Sequence, residues 1–191
     1  MSGGAPTALV WFKRDLRLRD HAPLAEAMRF ERALGLVVIE PAWLASPECD
    51  PRHVAFWRRC AAELQQALAE RGLPLLVRTG AMPQVLHALR QTIEFTHLFS
   101  HEETGPGWSY TRDLDVTAWC RSQGVAWTEW PQTGVVRRLR SRSGWAARWA
   151  ARMDAPEAPA AAGFKAAPLA RPEPLPTLAD LGLPAAPGAA A

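Results

Sequence analysis

Six of the eight residues from Lys13 to Asp20 are charged: Lys13, Arg14, Asp15, Arg17, Arg19 and Asp20, interrupted only by Leu16 and Leu18. Guanidinium forks alternating with carboxylates can lock a loop by ion pairs. They can also offer a rigid fork to a carbonyl, phosphate or ring oxygen of a ligand. Farther along, His101, Glu102 and Glu103 stand in sequence. A carboxylate there can accept from a ring N–H or a hydroxyl, or work as one half of an acid–base pair. Adjacent side chains point apart, so one of the two glutamates is expected to face a ligand and the other solvent. A metal on His101 would need further converging ligands, which the sequence does not supply, so a hydrogen bond to a ligand or a loop-ordering contact is expected instead. Trp43 and Trp108 can stack on a flat ring, whereas Trp11, Trp57 and Trp119 are expected in the core. The run Arg137, Arg138, Arg140, Arg142 could attract phosphates without regard to base sequence, but a solvated or interdomain role is the stronger expectation.

These residues must be positioned by regular elements. Short apolar runs cover Ala8 to Phe12, Ala33 to Ile39, Leu75 to Val77, Thr96 to Phe99 and Val125 to Trp130. Continuous apolar runs without alternation suit strands buried on both faces. Helical patterns separate them. A short one follows His21. Asp50-Pro51 supplies an N-cap and a proline at the first helical position, with Trp57, Ala61, Leu64 and Leu68 at helical spacing and Gly72 closing the segment. Pro83 opens another, and a third runs from about Trp108 to Gln123 before Gly124. The alternation predicts an α/β fold: a doubly wound five-stranded parallel sheet in the order 3-2-1-4-5, Rossmann- or flavodoxin-like, with helices on both faces.

In such a sheet a ligand binds beyond the carboxyl ends of the strands, where the strand order reverses. Residues just after the runs are Lys13 to Asp20, Glu40 to Trp43, Ser100 to Thr104 and Pro131 to Thr133. Charged and aromatic groups therefore collect on one edge. Loops are polar in any case, yet the density of charge directly after the first strand exceeds what solvation alone requires. The candidate site is Phe12, Lys13, Arg14, Asp15, Arg17, Glu40, Trp43, His101, Glu102, Glu103 and Trp108. Within it Arg14 and the glutamate pair should line the pocket, with the backbone after Phe12 and the Glu40–Trp43 turn as walls, while Asp15 and Arg17 hold the loop.

The chain of 191 residues has 48% apolar and 21% charged residues and a net charge of +3, too small to imply nucleic-acid binding by the whole chain. Cys49, Cys60 and Cys120 are odd in number and lack close pairing, so reduced thiols and a cytoplasmic location are expected, without a disulfide framework or zinc site. The N-terminus does not read as a secretory signal, and no apolar run is long enough to span a bilayer. No glycine-rich dinucleotide fingerprint, Walker A loop, nucleophile elbow or His-Glu-x-x-His motif occurs. From about Asp154 alanine and proline dominate. Residues 1–153 are therefore expected to form the domain and 154–191 a linker or extended tail, with a short turn near Leu178 to Leu181.

The stretch Leu9 to Leu24, Leu-Val-Trp-Phe-Lys-Arg-Asp-Leu-Arg-Leu-Arg-Asp-His-Ala-Pro-Leu, resembles the opening of DNA photolyases and cryptochromes. Arg71 to Leu75, Thr96 to Phe99 and Tyr110 to Asp113 extend the resemblance, which covers roughly residues 8 to 153. It implies the N-terminal α/β domain of that family, a light-harvesting and scaffold unit that often holds an antenna chromophore at its strand ends. A helical half that binds FAD is expected to follow where this chain ends. The resemblance thus implies an isolated or truncated N-terminal domain, inactive in repair alone and contacting DNA only through the complete protein. Where folate-binding members often carry Asn-Glu, this chain has Thr104 to Ser109, which favours a deazaflavin or another flavin over a folate. After the fifth strand, Val135 to Arg140 replaces the Tyr-x-Val-Phe-Thr-Pro-Phe segment of many members. Two other readings stay open: a stand-alone nucleotide-binding module of universal-stress type, and an interaction domain with an empty cleft.

Overall fold

A computed structural model describes residues 6–164 and 173–185; residues 1–5, 165–172 and 186–191, parts of the expected domain and tail, lie outside the described residues. Five parallel strands form one sheet in the order β3-β2-β1-β4-β5. They are β1 (Thr7–Phe12), β2 (Arg32–Ile39), β3 (Leu75–Thr79), β4 (His97–His101) and β5 (Ala126–Trp130). All four pairings are parallel, with Val10 opposite Gly35 on one side of β1 and Phe99 on the other.

Alternation along β1 divides the core. Ala8, Val10 and Phe12 join the cluster beneath α1 (Ala22–Ala27) and α3 (Pro51–Ala69), contributed by Leu24, Ala27, Val54, Leu64 and Leu68. Leu9 and Trp11 point the opposite way, into the cluster of α4 (Met82–Arg90) and α5 (Gly107–Gln123), with Met82, Leu86, Leu89 and Val116. A strand whose two faces are both covered is apolar along most of its length: all six residues of β1 are buried, and the five from Ala8 to Phe12 are apolar.

The helix ends follow the local chemistry. Asp50 caps α3 by accepting from the Arg52 N–H at 2.8 Å, and Pro51 follows at the first turn, where its missing N–H costs nothing. Gly124 ends α5 in the left-handed region at φ 65°, a conformation that a Cβ would oppose. His21 caps α1 through Nδ1, which accepts the Leu24 N–H at 3.1 Å.

Two short helices were not expected. The segment after β2 is α2 (Pro41–Leu44), a single turn begun by proline, rather than an open turn. Residues after the arginine run form α6 (Trp145–Met153). In addition, β4 extends past its apolar run: Ser100 and His101 lie inside the strand, where His101 pairs with Trp130, instead of in the loop after it. The ladder continues there because the His101 ring finds a buried polar partner. The expected turn at Leu178 to Leu181 is present, closing on Gly182. Leu175, Leu178, Leu181 and Leu183 pack on the α1–α3 core together with Phe164, and Gln65 Nε2 donates to the Glu173 carbonyl at 3.0 Å.

Candidate functional site

The buried charge of Lys13 begins the site. Lys13 follows β1 directly, and its Nζ lies 3.2 Å from Asp113 and 2.9 Å from Glu129. Arg112 of α5 answers three carboxylates: Nη1 to Glu40 at 2.9 Å, Nη2 to Glu103 at 2.7 Å and Nη2 to Asp113 at 2.8 Å. Arg14 Nε reaches the other oxygen of Glu103 at 2.7 Å, and Arg137 bridges Asp113 at 3.1 Å and Glu129 at 2.9 Å. Four cations thus meet four carboxylates, so the network is electrically balanced. Taking these charges out of water is costly, and their mutual pairing is what compensates it; removing one member leaves an uncompensated buried charge.

Burial and pairing pull the carboxyls apart. Burial pushes the Glu40 carboxyl above its ordinary range despite Arg112. Glu103 is subject to the same burial, but Arg112 and Arg14 together outweigh it and hold that carboxyl below its usual range. Burial disfavours the charge on Arg112, yet Asp113, Glu40 and Glu103 overcome it and raise its pKa further.

Over this network lies a narrow, partly open cleft, lined by Lys13, Arg14, Glu40, Glu103 and Arg112 together with Trp11, Val38, Trp43, Trp57 and Trp108. The Arg112 guanidinium sits 4.7 Å from the Trp11 ring and 5.5 Å from that of Trp108, and Arg14 sits 5.8 Å from Trp43. Trp43 and Trp57 meet edge to face with centroids 5.6 Å apart. The Trp108 indole N–H is buried without a hydrogen-bond partner. An orphaned donor of this kind costs about 1–3 kcal/mol unless a ligand supplies an acceptor. A second hollow, past α2 and the start of α4, shares Glu40, Trp108 and Arg112 with the cleft, so the two are continuous along the sheet edge.

Beneath the loop after β1, Asp15, His21 and His101 form a separate, wholly buried group. His101 Nδ1 is 2.6 Å from Asp15 Oδ2, and Asp15 Oδ1 accepts the Lys13 backbone N–H at 2.8 Å. His21 Nε2 approaches the same Oδ2 at 2.9 Å, as a close charge contact in poor hydrogen-bond alignment. Burial alone would raise the Asp15 pKa, but the hydrogen bond from His101 and the close approach of His21 prevail and hold it well below the carboxylate range. Burial lowers the His21 pKa against the pull of Asp15. The three ligand atoms lie within 4.8 Å of one another, close enough to suggest a metal. However, the His21 Nδ1 lone pair is occupied by the Leu24 N–H, so Nε2 carries the proton and has no lone pair to give. The group is a hydrogen-bonded brace.

The structure therefore divides the residues expected to form the site. Lys13, Arg14, Glu40, Trp43, Glu103 and Trp108 line the cleft. The side chains of the other five stand elsewhere, and Asp15 and Arg17 hold the loop as expected. Phe12 faces the α1–α3 core because β1 alternates. Asp15 and His101 are paired below the loop. Arg17 Nη2 donates to the Asp20 carbonyl at 2.9 Å and holds the loop. Glu102 has its backbone N–H on Trp130 at 2.8 Å and does not line the cleft, so of the two glutamates Glu103 is the inward one. Two expectations outside that set also change. Trp57 borders the cleft as well as the core, and Arg137 is half-buried in the ion network rather than solvated. Arg112, Asp113 and Glu129 were missed as site residues. An Arg-Asp pair in mid-helix was the available signal, but its burial depends on a sheet edge that sequence spacing does not display.

The sequence model of a family described as DNA photolyase matches residues 8–149. The chain is 41% identical over 101 residues to the deoxyribodipyrimidine photo-lyase of Salmonella typhimurium, covering 49% of this chain and 21% of that protein. Among solved structures, a Synechocystis cryptochrome superposes with a TM-score of 0.71 at 19% identity, over 97% of this chain and 42% of the other. The archaeal photolyase from Sulfolobus tokodaii, solved with two FAD molecules and described as implying a novel light-harvesting cofactor, gives 0.62 at 20% identity, over 75% of this chain and 34% of the other. The chain thus spans about a fifth of that curated relative and well under half of the solved ones.

Proposed function

The chain belongs to the DNA photolyase family, and from that premise we propose that it serves as the light-harvesting and scaffold domain of a photolyase or cryptochrome. Its cleft would hold an antenna chromophore, a deazaflavin or another flavin in preference to a folate. The carrying observation is a charge-balanced cleft ringed by Trp43, Trp57 and Trp108 at the carboxyl edge of a parallel sheet. Because the four cations are already paired, the cleft has little spare charge for a pyrophosphate. This observation and the family match together disfavour a stand-alone nucleotide-binding module.

The residues fit a heteroaromatic ring. The Trp108 N–H would donate to a ring carbonyl, Glu40 and Glu103 would accept from a ring N–H or side-chain hydroxyl, and Arg14 would close the open side with its fork. When bound, the chromophore supplies absorption of near-ultraviolet or blue light. The protein's part is to fix the ring's plane and exclude water from it. The excitation would pass to an FAD in a helical half, the partner proposed for this domain, and DNA would be engaged through the complete protein. The test is absorbance of the purified chain, before and after incubation with riboflavin, a deazaflavin and a folate. Bound absorbance beyond the range of amino acids, lost in an Arg14→Ala and Trp108→Phe double variant, supports the reading. A chain that binds none of the three has an empty cleft and overturns it.

A further inference from the structure

Asp20 ends the loop after β1 with a left-handed backbone, φ 50°. Aspartate tolerates that region because its short side chain can bond to nearby backbone. Here only the carbonyl is bonded locally, accepting Arg17 Nη2 at 2.9 Å. The carboxylate Oδ1 accepts the backbone N–H of Ala158, far along the chain, at 2.9 Å. Beside it Arg19 meets Glu157 with both arms of its fork, at 2.8 and 2.9 Å. Both partners belong to the alanine- and proline-rich stretch after α6.

That stretch is anchored a second time. Ala161 is buried in the α1–α3 core. The Phe164 N–H donates to the Arg71 carbonyl at 2.8 Å. Gly72 leaves room for it: its φ is 76°, and a Cβ there would stand 2.9 Å from the Phe164 carbonyl oxygen. Arg71 follows α3, which returns across the sheet between two parallel strands, so this anchor lies at the amino edge while Asp20 lies at the carboxyl edge. Eight residues reach about 26 Å when extended, enough to run the length of a six-residue strand, about 20 Å. Residues 157–164 thus cross the α1–α3 face from one edge to the other. Pro156 and Pro159 restrict the unfolded chain and reduce the entropy lost in laying it down.

We infer that residues 157–164 form a strap that fixes the loop after β1, and that Asp20 is the positioning residue through which the strap bears on the cleft. The loop begins with Lys13 and Arg14, which line the cleft. It is held at three places. Asp15 accepts the Lys13 N–H and is braced by His101; Arg17 closes on the Asp20 carbonyl; Ala158 takes the Asp20 carboxylate from outside. The first two ties lie within the sheet and its loop, and the third arrives only with the tail. Without it the loop keeps its brace at Asp15 and loses its distal tether, so the half-exposed Arg14 side chain is held less firmly toward Glu103. The tether stands on these contacts alone; its effect on chromophore retention rests on the antenna reading proposed above. In a protein that continues into a helical half, this tail would carry a displacement of that half to Arg14.

The experiment is hydrogen exchange of the 191-residue chain over residues 14–20, with trypsin cleavage after Arg14, Arg17 and Arg19 as a second readout. Ala158→Pro deletes the one donor and nothing else on the Asp20 side. It should speed loop exchange and cleavage about fivefold, the size expected of one lost hydrogen bond. Amides of α4, on the opposite face, should exchange as before. Asp20→Asn keeps an acceptor and the left-handed backbone, so it should stay within about twofold of the parent. Asp20→Gly keeps the backbone and removes the acceptor; adding Ala158→Pro to it should have no further effect, because the two act through one bond. If Ala158→Pro loses its native circular dichroism, Glu157→Arg, which sets like charges together at an exposed position, should speed loop exchange about twofold. Riboflavin or deazaflavin affinity of Ala158→Pro should fall about fivefold as well. A chain that binds neither overturns the antenna reading, while the exchange data still decide the strap. Unchanged loop exchange in folded Ala158→Pro, additive effects of Ala158→Pro and Asp20→Gly, or equal acceleration in α4 would each overturn the proposal.

Discussion

Arg14 donates through Nε to Glu103 Oε1 at 2.7 Å, and this bond ties the loop after β1 to the loop after β4 across the cleft. The Arg14 side chain is half exposed while that of Glu103 is buried, and Arg112 holds the other Glu103 oxygen. Arg14→Ala should therefore change stability by no more than about 1 kcal/mol, as exposed pairs do. Loss of its fork should weaken chromophore retention by about 1.5–3 kcal/mol. Chromophore titration beside thermal melts of both proteins separates the two effects, and equal affinity would count against the cleft assignment.

Arg112 is the opposite case. It is buried and answers Glu40, Glu103 and Asp113 at once. Arg112→Ala should cost about 3–5 kcal/mol, because three buried carboxylates lose their shared cation. Arg112→Lys should recover only part of this, since an ammonium cannot reproduce the planar fork. Urea denaturation of the two variants measures both.

Trp108→Phe removes a buried N–H that has no partner in the ligand-free protein. Its stability should stay within about 1 kcal/mol of the parent, since the lost packing is offset by removal of an unsatisfied donor. Chromophore affinity should nevertheless fall by about tenfold, as expected from one lost hydrogen bond. A parallel fall in stability and affinity would make Trp108 a packing residue only.

Acidification should destabilise the fold through the brace under the first loop. The His21 pKa is lowered in the folded state from its ordinary 6.5, so the unfolded chain binds the proton more readily. Stability is then fully present above pH 6.5 and falls as the pH drops from there toward the folded value. Protonation would also deprive the Leu24 N–H of its acceptor. Asp15 is likewise lowered, so its contribution is present above its ordinary 3.8 and is lost below it. His21→Asn keeps a competent cap and removes the imidazole titration. Its denaturation midpoint should vary less with pH just below 6.5 than that of the parent.

The 191-residue chain alone, with added FAD and light, should leave a thymine dimer unrepaired. The residues described after α6 form turns and extended backbone rather than a helical bowl for a flavin. Chromatographic assay of an irradiated dimer substrate checks this directly, and repair by the chain alone would refute it.

The sequence by itself determined the sheet. Ala8 to Phe12 and Ala33 to Ile39 are apolar at successive positions, which only a strand covered on both faces requires, and the intervening caps at Asp50-Pro51 and Gly124 marked where helices begin and end. The edge that carries Lys13, Arg14, Glu40, Trp43, Glu103 and Trp108 followed, because strand ends are local features of a chain. Tertiary structure alone decided how those charges are partnered. Asp15 and Glu103 are both acidic residues after a strand, yet one is sunk against two imidazoles and the other faces the cleft. Lys13 meets Asp113 from a hundred residues away, and Arg137 leaves a basic run to join them. Ion pairing in a buried site depends on separations of a few ångströms between distant segments, and composition and periodicity carry no record of such distances.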